Sequence, residues 1–151
     1  MQWSVLTFNE LSVDELYELL KLRVDIFVVE QNCPYPELDE KDRHIETRHL
    51  LGRNDAGEIV AYARLLAPGV SYTDASIGRV VVAEQARGGG VAYALMTEAI
   101  RLTESYWAGK NIQLGGQEYL KDFYQKLGFE PVSEVYLEDG IPHLDMLFRT
   151  V

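Results

Sequence analysis

The chain has 151 residues, of which 47% are hydrophobic and 25% are charged, and it contains a single cysteine. A chain of this length can bury roughly two-thirds of its unfolded surface, so we expect one domain over residues 1–151. One cysteine excludes an intramolecular disulfide, and the three histidines, His44, His49 and His143, lack zinc-finger spacing, so we expect no metal. The net charge of -10 makes nucleic acid a poor partner.

The N-terminus and the hydropathy argue against export and membrane insertion. The first residues, Met-Gln-Trp-Ser, lack the basic and apolar regions of a secretory signal. No apolar run approaches the roughly 20 residues needed to cross a bilayer. We therefore expect a cytoplasmic protein without membrane contact, and the sequence leaves open whether it is a monomer or a homodimer.

Hydrophobic periodicity predicts helices and strands in alternation. A capping box from Ser12 to Glu15 begins the first helix, and Pro34 and Pro36 prevent its continuation. The predicted elements, in chain order, are one or two N-terminal strands, a helix over residues 12–28, a hairpin of 50–51 and 59–66, a strand at 77–82, a helix from 90, a strand at 112–114, a helix at 118–127 and a hairpin within 130–148. This order is mixed α/β, and its central strand-loop-helix unit directs attention to residues 80–92.

Three consecutive glycines, Gly88, Gly89 and Gly90, separate the central strand from its helix. Each glycine costs roughly 0.5 to 1 kcal/mol relative to alanine in regular structure, so the run predicts a tight turn or the close approach of a ligand. Arg87 and the N-terminus of the helix favour an anion. A nucleoside-triphosphate loop is excluded because no Lys follows, and Tyr93 breaks the dinucleotide fingerprint. A turn without a ligand is the alternative.

Two motifs point to a known family. Gln85, Gly88 and Gly90 form Gln-x-x-Gly-x-Gly, which resembles the motif that holds the coenzyme A pyrophosphate in GCN5-related N-acetyltransferases, the GNAT family. Residues 117–129 are similar to the family's Asn-x-x-Ala-x-x-Phe-Tyr-x-x-x-Gly-Phe motif, with Gln117 in the Asn position and Leu120 in the Ala position. Four further stretches resemble the bacterial ElaA-like group of this family: residues 27–35, 61–64, 77–80 and 135–143.

The resemblance implies the GNAT fold, a mixed, mostly antiparallel sheet that splays between its fourth and fifth strands and is flanked by about four helices. It implies an acetyl-CoA-dependent N-acetyltransferase that transfers the acetyl group directly to a primary amine of a small molecule or peptide. In that fold the backbone of residues 80–82 would bond the pantetheine amides and the glycine loop would hold the pyrophosphate. The expected cofactor-binding residues are Val80, Val81, Val82, Arg87, Gly88, Gly89, Gly90, Val91, Ala92 and Gln117.

Catalysis of this kind needs a proton donor for the departing thiolate and a base for the amine. The family register makes Tyr124 the general acid, whereas periodicity alone makes it a packing residue beside Phe123. Glu30 and His143 are the two candidate bases within stretches that match the ElaA-like pattern, although a structural hydrogen bond explains such residues equally well. Other conceivable bases are Glu46, Glu84, His44 and a chain of waters. Cys33 is conceivable as a nucleophile, but a packed or free thiol is the simpler interpretation.

Two alternatives to this function stay open, because a fold does not determine a reaction. The chain could be a non-catalytic acyl-CoA-binding regulatory module, or it could transfer a longer acyl chain or acylate an oxygen. Charge bears on the acceptor, since an acidic wall would attract a cationic amine. The acidic residues expected to form that wall are Asp25, Glu30, Glu37, Asp39, Glu40, Asp42 and Glu46.

Overall fold

A computed structural model describes residues 1–150, which form one eight-stranded sheet with helices on both faces. The strands are β1 (Gln2–Leu6), β2 (Arg48–Arg53), β3 (Ile59–Leu66), β4 (Ala75–Val82), β5 (Ile112–Gln117), β6 (Glu130–Pro131), β7 (Tyr136–Glu138) and β8 (Ile141–Phe148). The α-helices are α1 (Val13–Val24), α2 (Val91–Tyr106) and α3 (Lys121–Lys126). Across residues 1–150, no helix is both long enough and apolar enough to cross a membrane.

The sheet is mixed, and its single parallel pairing opens the fold. Its strand order is β1-β2-β3-β4-β5-β8-β6, with β7 paired to β8. All ladders are antiparallel except that between β4 and β5, which pairs only Ala75 with Ile112 and Ser76 with Gln113. Beyond these two pairs the strands diverge, which confirms the predicted splay between the fourth and fifth strands.

The first helix begins at the predicted capping box. The Ser12 hydroxyl accepts from the Glu15 amide at 3.0 Å, and the Glu15 carboxylate accepts from the Ser12 amide at 2.9 Å. After α1 the chain continues as a π-helical turn, Asp25–Glu30, so the helical path ends two residues beyond the predicted limit. Val13 is not part of the buried face, because it is 84% exposed.

Side chains of alternating direction divide the core between the two faces of the sheet. Leu50 and Ala61 pack with α2 and Tyr124 on one face, whereas Leu51 packs with α1 on the other. Both faces are thus covered, and the three α-helices together with the π-helical turn correspond to the expected flanking helices. Because the β4–β5 ladder has only two residue pairs, this arrangement leaves a gap between the ends of these two strands.

Candidate functional site

A cavity of about 600 Å³ lies where β4 and β5 separate. The C-terminal half of β4 and residues 114–117 of β5 form two of its walls, and the end of the π-helical turn and the β7–β8 turn form the others. The pairing of β4 with β5 extends only as far as Ser76, so residues 77–82 have no strand partner on the β5 side. Backbone N–H and C=O groups on such an edge can bond an extended ligand as they would bond a neighbouring strand.

A β-bulge on β4 adds to the divergence. Tyr62 of β3 pairs with Val81 and Arg64 pairs with Gly78, so the single residue between the β3 partners faces both Arg79 and Val80. Arg79 takes a left-handed conformation with φ of 51°. Bulges of this kind increase the local twist of a strand, so this one turns the end of β4 away from β5.

The bulge also directs Arg79 into a buried ionic network that holds the loop after the π-helical turn. Arg79 Nε lies 2.8 Å from Glu37 Oε1, and the fully buried Arg23 donates to Asp42 Oδ1 at 2.7 Å. Burial by itself would raise the pKa of Asp42, but the hydrogen bond and charge of Arg23 hold that pKa below its ordinary range. Removing one member of a buried pair typically costs 3–5 kcal/mol, so the network fixes this wall of the cavity firmly.

The same network cancels the charge of the wall that the sequence predicts to be acidic. Six of the seven carboxylates form ion pairs with basic side chains, and only Glu46 has no such partner within residues 1–150. The partners are Lys21 for Asp25, Arg87 for Glu30, Arg43 for Glu40, and Arg23, Arg64 and Arg79 for Glu37, Asp39 and Asp42. The predicted negative wall is therefore largely neutralised, because basic side chains from α1, β3, β4 and the neighbouring loops supply its counter-charges.

The glycine loop has the conformation that an anion-binding turn requires. Gly88, Gly89 and Gly90 have φ of 88°, 64° and 79°, and no atom lies within 4 Å of a Cβ built on any of them. Gly90 caps α2, whose first turn carries no acidic side chain. Free N–H groups at the start of a 16-residue helix attract negative charge, so this loop fits a phosphate.

Arg87 lies between this loop and the end of the π-helical turn. Its Nε donates to the Val82 carbonyl at 3.1 Å, and its Nη2 donates to Glu30 Oε2 at 2.9 Å. Both side chains of the pair stay partly exposed, so the guanidinium can exchange one anionic partner for another. Arg87 thus touches the residue proposed as a base as well as the loop proposed to bind phosphate.

Tyr124 projects from α3 toward the cavity on the face of the sheet that α2 also covers. The residue is 6% exposed, its ring packs edge-on against Phe123 and Phe129, and burial raises the pKa of its phenol to about 12. Within residues 1–150, no group hydrogen-bonds to the Tyr124 hydroxyl. A phenol that is neutral and lacks a protein partner is available to donate to a ligand.

Gly116 makes room for this tyrosine, and the motif analysis missed it. A Cβ at Gly116 would lie 2.8 Å from Tyr124 Cε2. The neighbouring Gly115 is equally constrained, since a Cβ there would lie 2.9 Å from the Tyr136 hydroxyl. Two consecutive glycines inside a strand mark a close approach of other groups, and that signal is visible in the sequence.

His143, near the start of β8, lines the cavity with one nitrogen committed. Nδ1 lies 2.7 Å from the Ile141 carbonyl, which can only accept, so Nδ1 carries the proton in the neutral ring. Nε2 lies 3.4 Å from Glu138 Oε2. The neutral imidazole therefore offers a lone pair at Nε2, and the carboxylate would stabilise the ring after protonation.

The structure brings most of the predicted site residues to this one cavity. Those that line it are Glu30, Val80, Val81, Val82, Arg87, Ala92, Gln117, Tyr124 and His143. Gly88, Gly89, Gly90 and Val91 lie beside it at the start of α2, whereas Glu46, Glu84 and His44 are not among its lining residues. Gln117 donates to Gln31 at 3.3 Å, and the Cys33 thiol, which also lines the cavity, contacts the Asp139 carbonyl at 3.4 Å. No cluster of three or more potential metal ligands occurs within residues 1–150.

Comparisons with known proteins agree with this architecture. Residues 28–149 match the family model described as an acetyltransferase (GNAT) domain. The chain is 48% identical over 147 residues to protein ElaA of Escherichia coli strain K12, across 97% of this chain and 95% of that protein. It superposes on an acyl-CoA N-acyltransferase from Pseudomonas aeruginosa with a TM-score of 0.92 and 42% identity, across 97% of this chain and 98% of that one. The crystal structure of Escherichia coli ElaA gives a TM-score of 0.91 and 46% identity, across 99% and 100% of the two chains. The chain therefore belongs to the GNAT family of acyltransferases.

Proposed function

We propose that the protein is an acetyl-CoA-dependent N-acetyltransferase that transfers the acetyl group directly to a primary amine of a small molecule or peptide. The observation that carries the proposal is that the unbonded Tyr124 hydroxyl and the His143 imidazole belong to one cavity beside the open edge of β4. A donor for the departing sulfur and a base for the amine are the two groups that this chemistry needs.

The chain's own residues would hold the donor at both ends. The β4 edge, at Val80, Val81 and Val82, would bond the amides of the pantetheine arm. The glycine loop, the first turn of α2 and the Arg87 side chain would bind the pyrophosphate. The bound cosubstrate supplies an activated thioester. Positioning of this kind contributes about 7–11 kcal/mol to a bimolecular reaction, so no acyl-enzyme nucleophile is required.

Tyr124 would act at the sulfur. Its phenol, with a pKa of about 12, stays protonated at any physiological pH and can donate a hydrogen bond. An ordinary thiol has a pKa of about 8.5, so complete proton transfer from this buried phenol to a thiolate is uphill. The main contribution of Tyr124 is therefore a hydrogen bond that stabilises the charge developing on the sulfur.

His143 would act at the amine. A protonated amine is not a nucleophile, and imidazole is the side chain whose charge changes between pH 5 and 8. Nε2 accepts the proton, and Glu138, 3.4 Å away, stabilises the resulting cation. Glu30 is the alternative base, and in the structure its carboxylate accepts a hydrogen bond from Arg87.

The test is an acceptor panel with acetyl-CoA, scored by release of free thiol and by mass gain of one acetyl group on the acceptor. Neutral, cationic and anionic primary amines, a peptide with a free N-terminus and matched alcohols make up the panel. We expect acetylation of at least one amine and none of the alcohols. Binding of acetyl-CoA without turnover on any amine would instead favour a regulatory module. Faster turnover of a longer acyl-CoA or of an alcohol would favour the other alternative.

The salt dependence of KM in the same panel tests which carboxylates attract a cationic acceptor, those of the wall or those of the β7–β8 turn. With the wall neutralised, Glu138 and Asp139 on the β7–β8 turn are the cavity-lining carboxylates that lack an arginine or lysine partner within residues 1–150. An electrostatic preference for cationic amines would arise at these two carboxylates, and the KM for a cationic amine would then rise with ionic strength. Glu138→Gln should then weaken the preference, whereas Glu46→Gln, outside the cavity, should not.

A further inference from the structure

The hydrogen bonds of the three histidines select two different tautomers of the neutral ring. His49 donates from Nε2 to the Asp42 carbonyl at 3.0 Å and accepts at Nδ1 from the Tyr62 hydroxyl at 2.7 Å. His44 accepts at Nδ1 from the Glu46 amide at 3.1 Å, so its proton also lies on Nε2. His143 alone carries the proton on Nδ1, because the Ile141 carbonyl accepts there.

Tyr136 covers the His143 ring from the neighbouring strand. The two residues are direct cross-strand partners in the β7–β8 ladder, and their rings lie 24° from parallel with centroids 6.1 Å apart. The Tyr136 hydroxyl donates to Asp145 Oδ1 at 2.7 Å. This hydroxyl also occupies the space where a side chain on Gly115 would stand.

Tyr136 is thus held at both ends by parts of the sheet. Its backbone pairs with β8, and its hydroxyl is bonded across the ladder to Asp145. The backbone N–H of Asp145 in turn donates a hydrogen bond to the Ser133 hydroxyl at 2.8 Å. A ring so restrained keeps a fixed stacking partner beside the imidazole.

We propose that Tyr136, anchored by Asp145, is a positioning residue that keeps His143 protonated on Nδ1 and leaves Nε2 facing the cavity. The catalytic consequence rests on the proposed function, in which Nε2 takes the proton from the amine nitrogen and the imidazolium that forms is paired with Glu138. Tyr136 itself does not line the cavity and acts only through His143.

The direct test is the protonated nitrogen of each histidine, read from long-range 1H–15N correlation spectra at a pH where imidazole is neutral. The wild type should show one histidine protonated on Nδ1 and two on Nε2, and His143→Asn should remove the first. In Tyr136→Leu, the His143 signals should shift toward a mixture of the two forms. The signals of His44 and His49 should stay unchanged, and Tyr17→Leu, which removes an exposed tyrosine of α1, should change none of them.

Kinetics provide the second readout. Tyr136→Leu should lower kcat by about 10-fold, a fraction of the 10²- to 10⁴-fold that a general base contributes, with KM for acetyl-CoA changed less than about 2-fold. Asp145→Asn keeps an acceptor for the Tyr136 hydroxyl and should retain most of the rate, whereas Asp145→Leu should behave like Tyr136→Leu. If Tyr136→Leu fails to fold, Tyr136→Phe, which keeps the ring and loses the anchor, should still show a mixed His143 signal and a fall of about 3-fold in kcat.

Unchanged His143 nitrogen signals in folded Tyr136→Leu, or in Tyr136→Phe where that is the variant that folds, would overturn the positioning role. A shifted His143 signal with an unchanged rate would leave Tyr136 as the residue that positions the ring. That result would argue against His143 as the general base and so contradict the proposed function instead. The two failures are therefore distinguishable by one pair of measurements.

Discussion

Arg87 donates to the Glu30 carboxylate at 2.9 Å, although the two residues are 57 positions apart in the sequence. The pair joins the end of the π-helical turn to the loop that precedes α2. In the proposed function, Arg87 binds the pyrophosphate, so Glu30 and the cosubstrate compete for one guanidinium. Glu30 is then released from its partner whenever the phosphates engage Arg87.

This competition predicts opposite effects of two substitutions on acetyl-CoA affinity. Arg87→Gln should weaken binding by about 10-fold, since hydrogen bonds to charged groups contribute about 1.5–3 kcal/mol. Glu30→Gln should strengthen binding by about 2- to 5-fold, the scale of an exposed ion pair. Calorimetry on both single variants and on the double variant gives the coupling. An equal gain from Glu30→Gln in the Arg87→Gln background would contradict the competition.

The glycine loop predicts a charge effect that can be separated from backbone strain. Gly90 has φ of 79°, a conformation that Asn and Asp tolerate better than other side chains. Gly90→Asn and Gly90→Asp therefore carry similar strain and differ in charge. We expect Gly90→Asp to bind acetyl-CoA at least about 10-fold more weakly than Gly90→Asn, because its carboxylate repels the phosphates. Equal affinities in two folded variants would exclude the pyrophosphate from this loop.

The contact between Gly116 and Tyr124 predicts that a methyl group on residue 116 displaces the Tyr124 ring and so moves its hydroxyl. Gly116→Ala puts a Cβ 2.8 Å from Tyr124 Cε2, so the ring must move. Tyr124→Phe removes the donor and keeps the ring. Both variants should lose about 10²-fold in kcat with acetyl-CoA affinity retained, because each removes a hydrogen bond to the charge that develops on the sulfur.

The double variant tests whether Gly116 acts through Tyr124. If it does, Gly116→Ala should cost little more in the Tyr124→Phe background, where no hydroxyl remains to be displaced. Full rates in Tyr124→Phe would make Tyr124 a packing residue, with water or another group at the sulfur.

Buried His49 predicts a loss of stability in mild acid. Burial lowers the pKa of this imidazole below its ordinary value of about 6.5. Above that value neither the folded nor the unfolded chain binds the proton, and stability is constant. Below it the unfolded chain takes up a proton that the folded chain refuses, so the free energy of unfolding falls by up to about 1.4 kcal/mol per pH unit.

Urea unfolding between pH 7.5 and 5 measures this slope. His49→Gln should reduce it, and His44→Gln, at an exposed position, should leave it unchanged. The carboxyls of Asp39 and Asp42 have lowered pKa values, so their contribution is lost only below about pH 4 and does not overlap this window. An identical slope in wild type and His49→Gln would contradict the prediction.

Local sequence determined much of the fold and the part of the cavity that we propose binds the cosubstrate. The Ser12 capping box starts α1 as predicted, and the glycines at 88–90 adopt the left-handed turn that only their lack of a side chain makes easy. Phe123 and Tyr124 lie on a short helix in the predicted register. Each of these features depends on residues a few positions apart, so the sequence alone carries the physical cause.

The tertiary structure decided the charge and shape of the part of the cavity that we propose binds the acceptor. The count of acidic residues between 25 and 46 predicted a negative wall, but basic partners, among them Arg64 from β3 and Arg79 from β4, neutralise most of it. Likewise, Tyr136 reaches His143 only because β7 pairs with β8, and Gly116 admits Tyr124 only because α3 packs beneath β5. Charge and shape at a site depend on which distant strands become neighbours. A linear pattern records the charges and not their partners, so only the folded sheet determines the final balance.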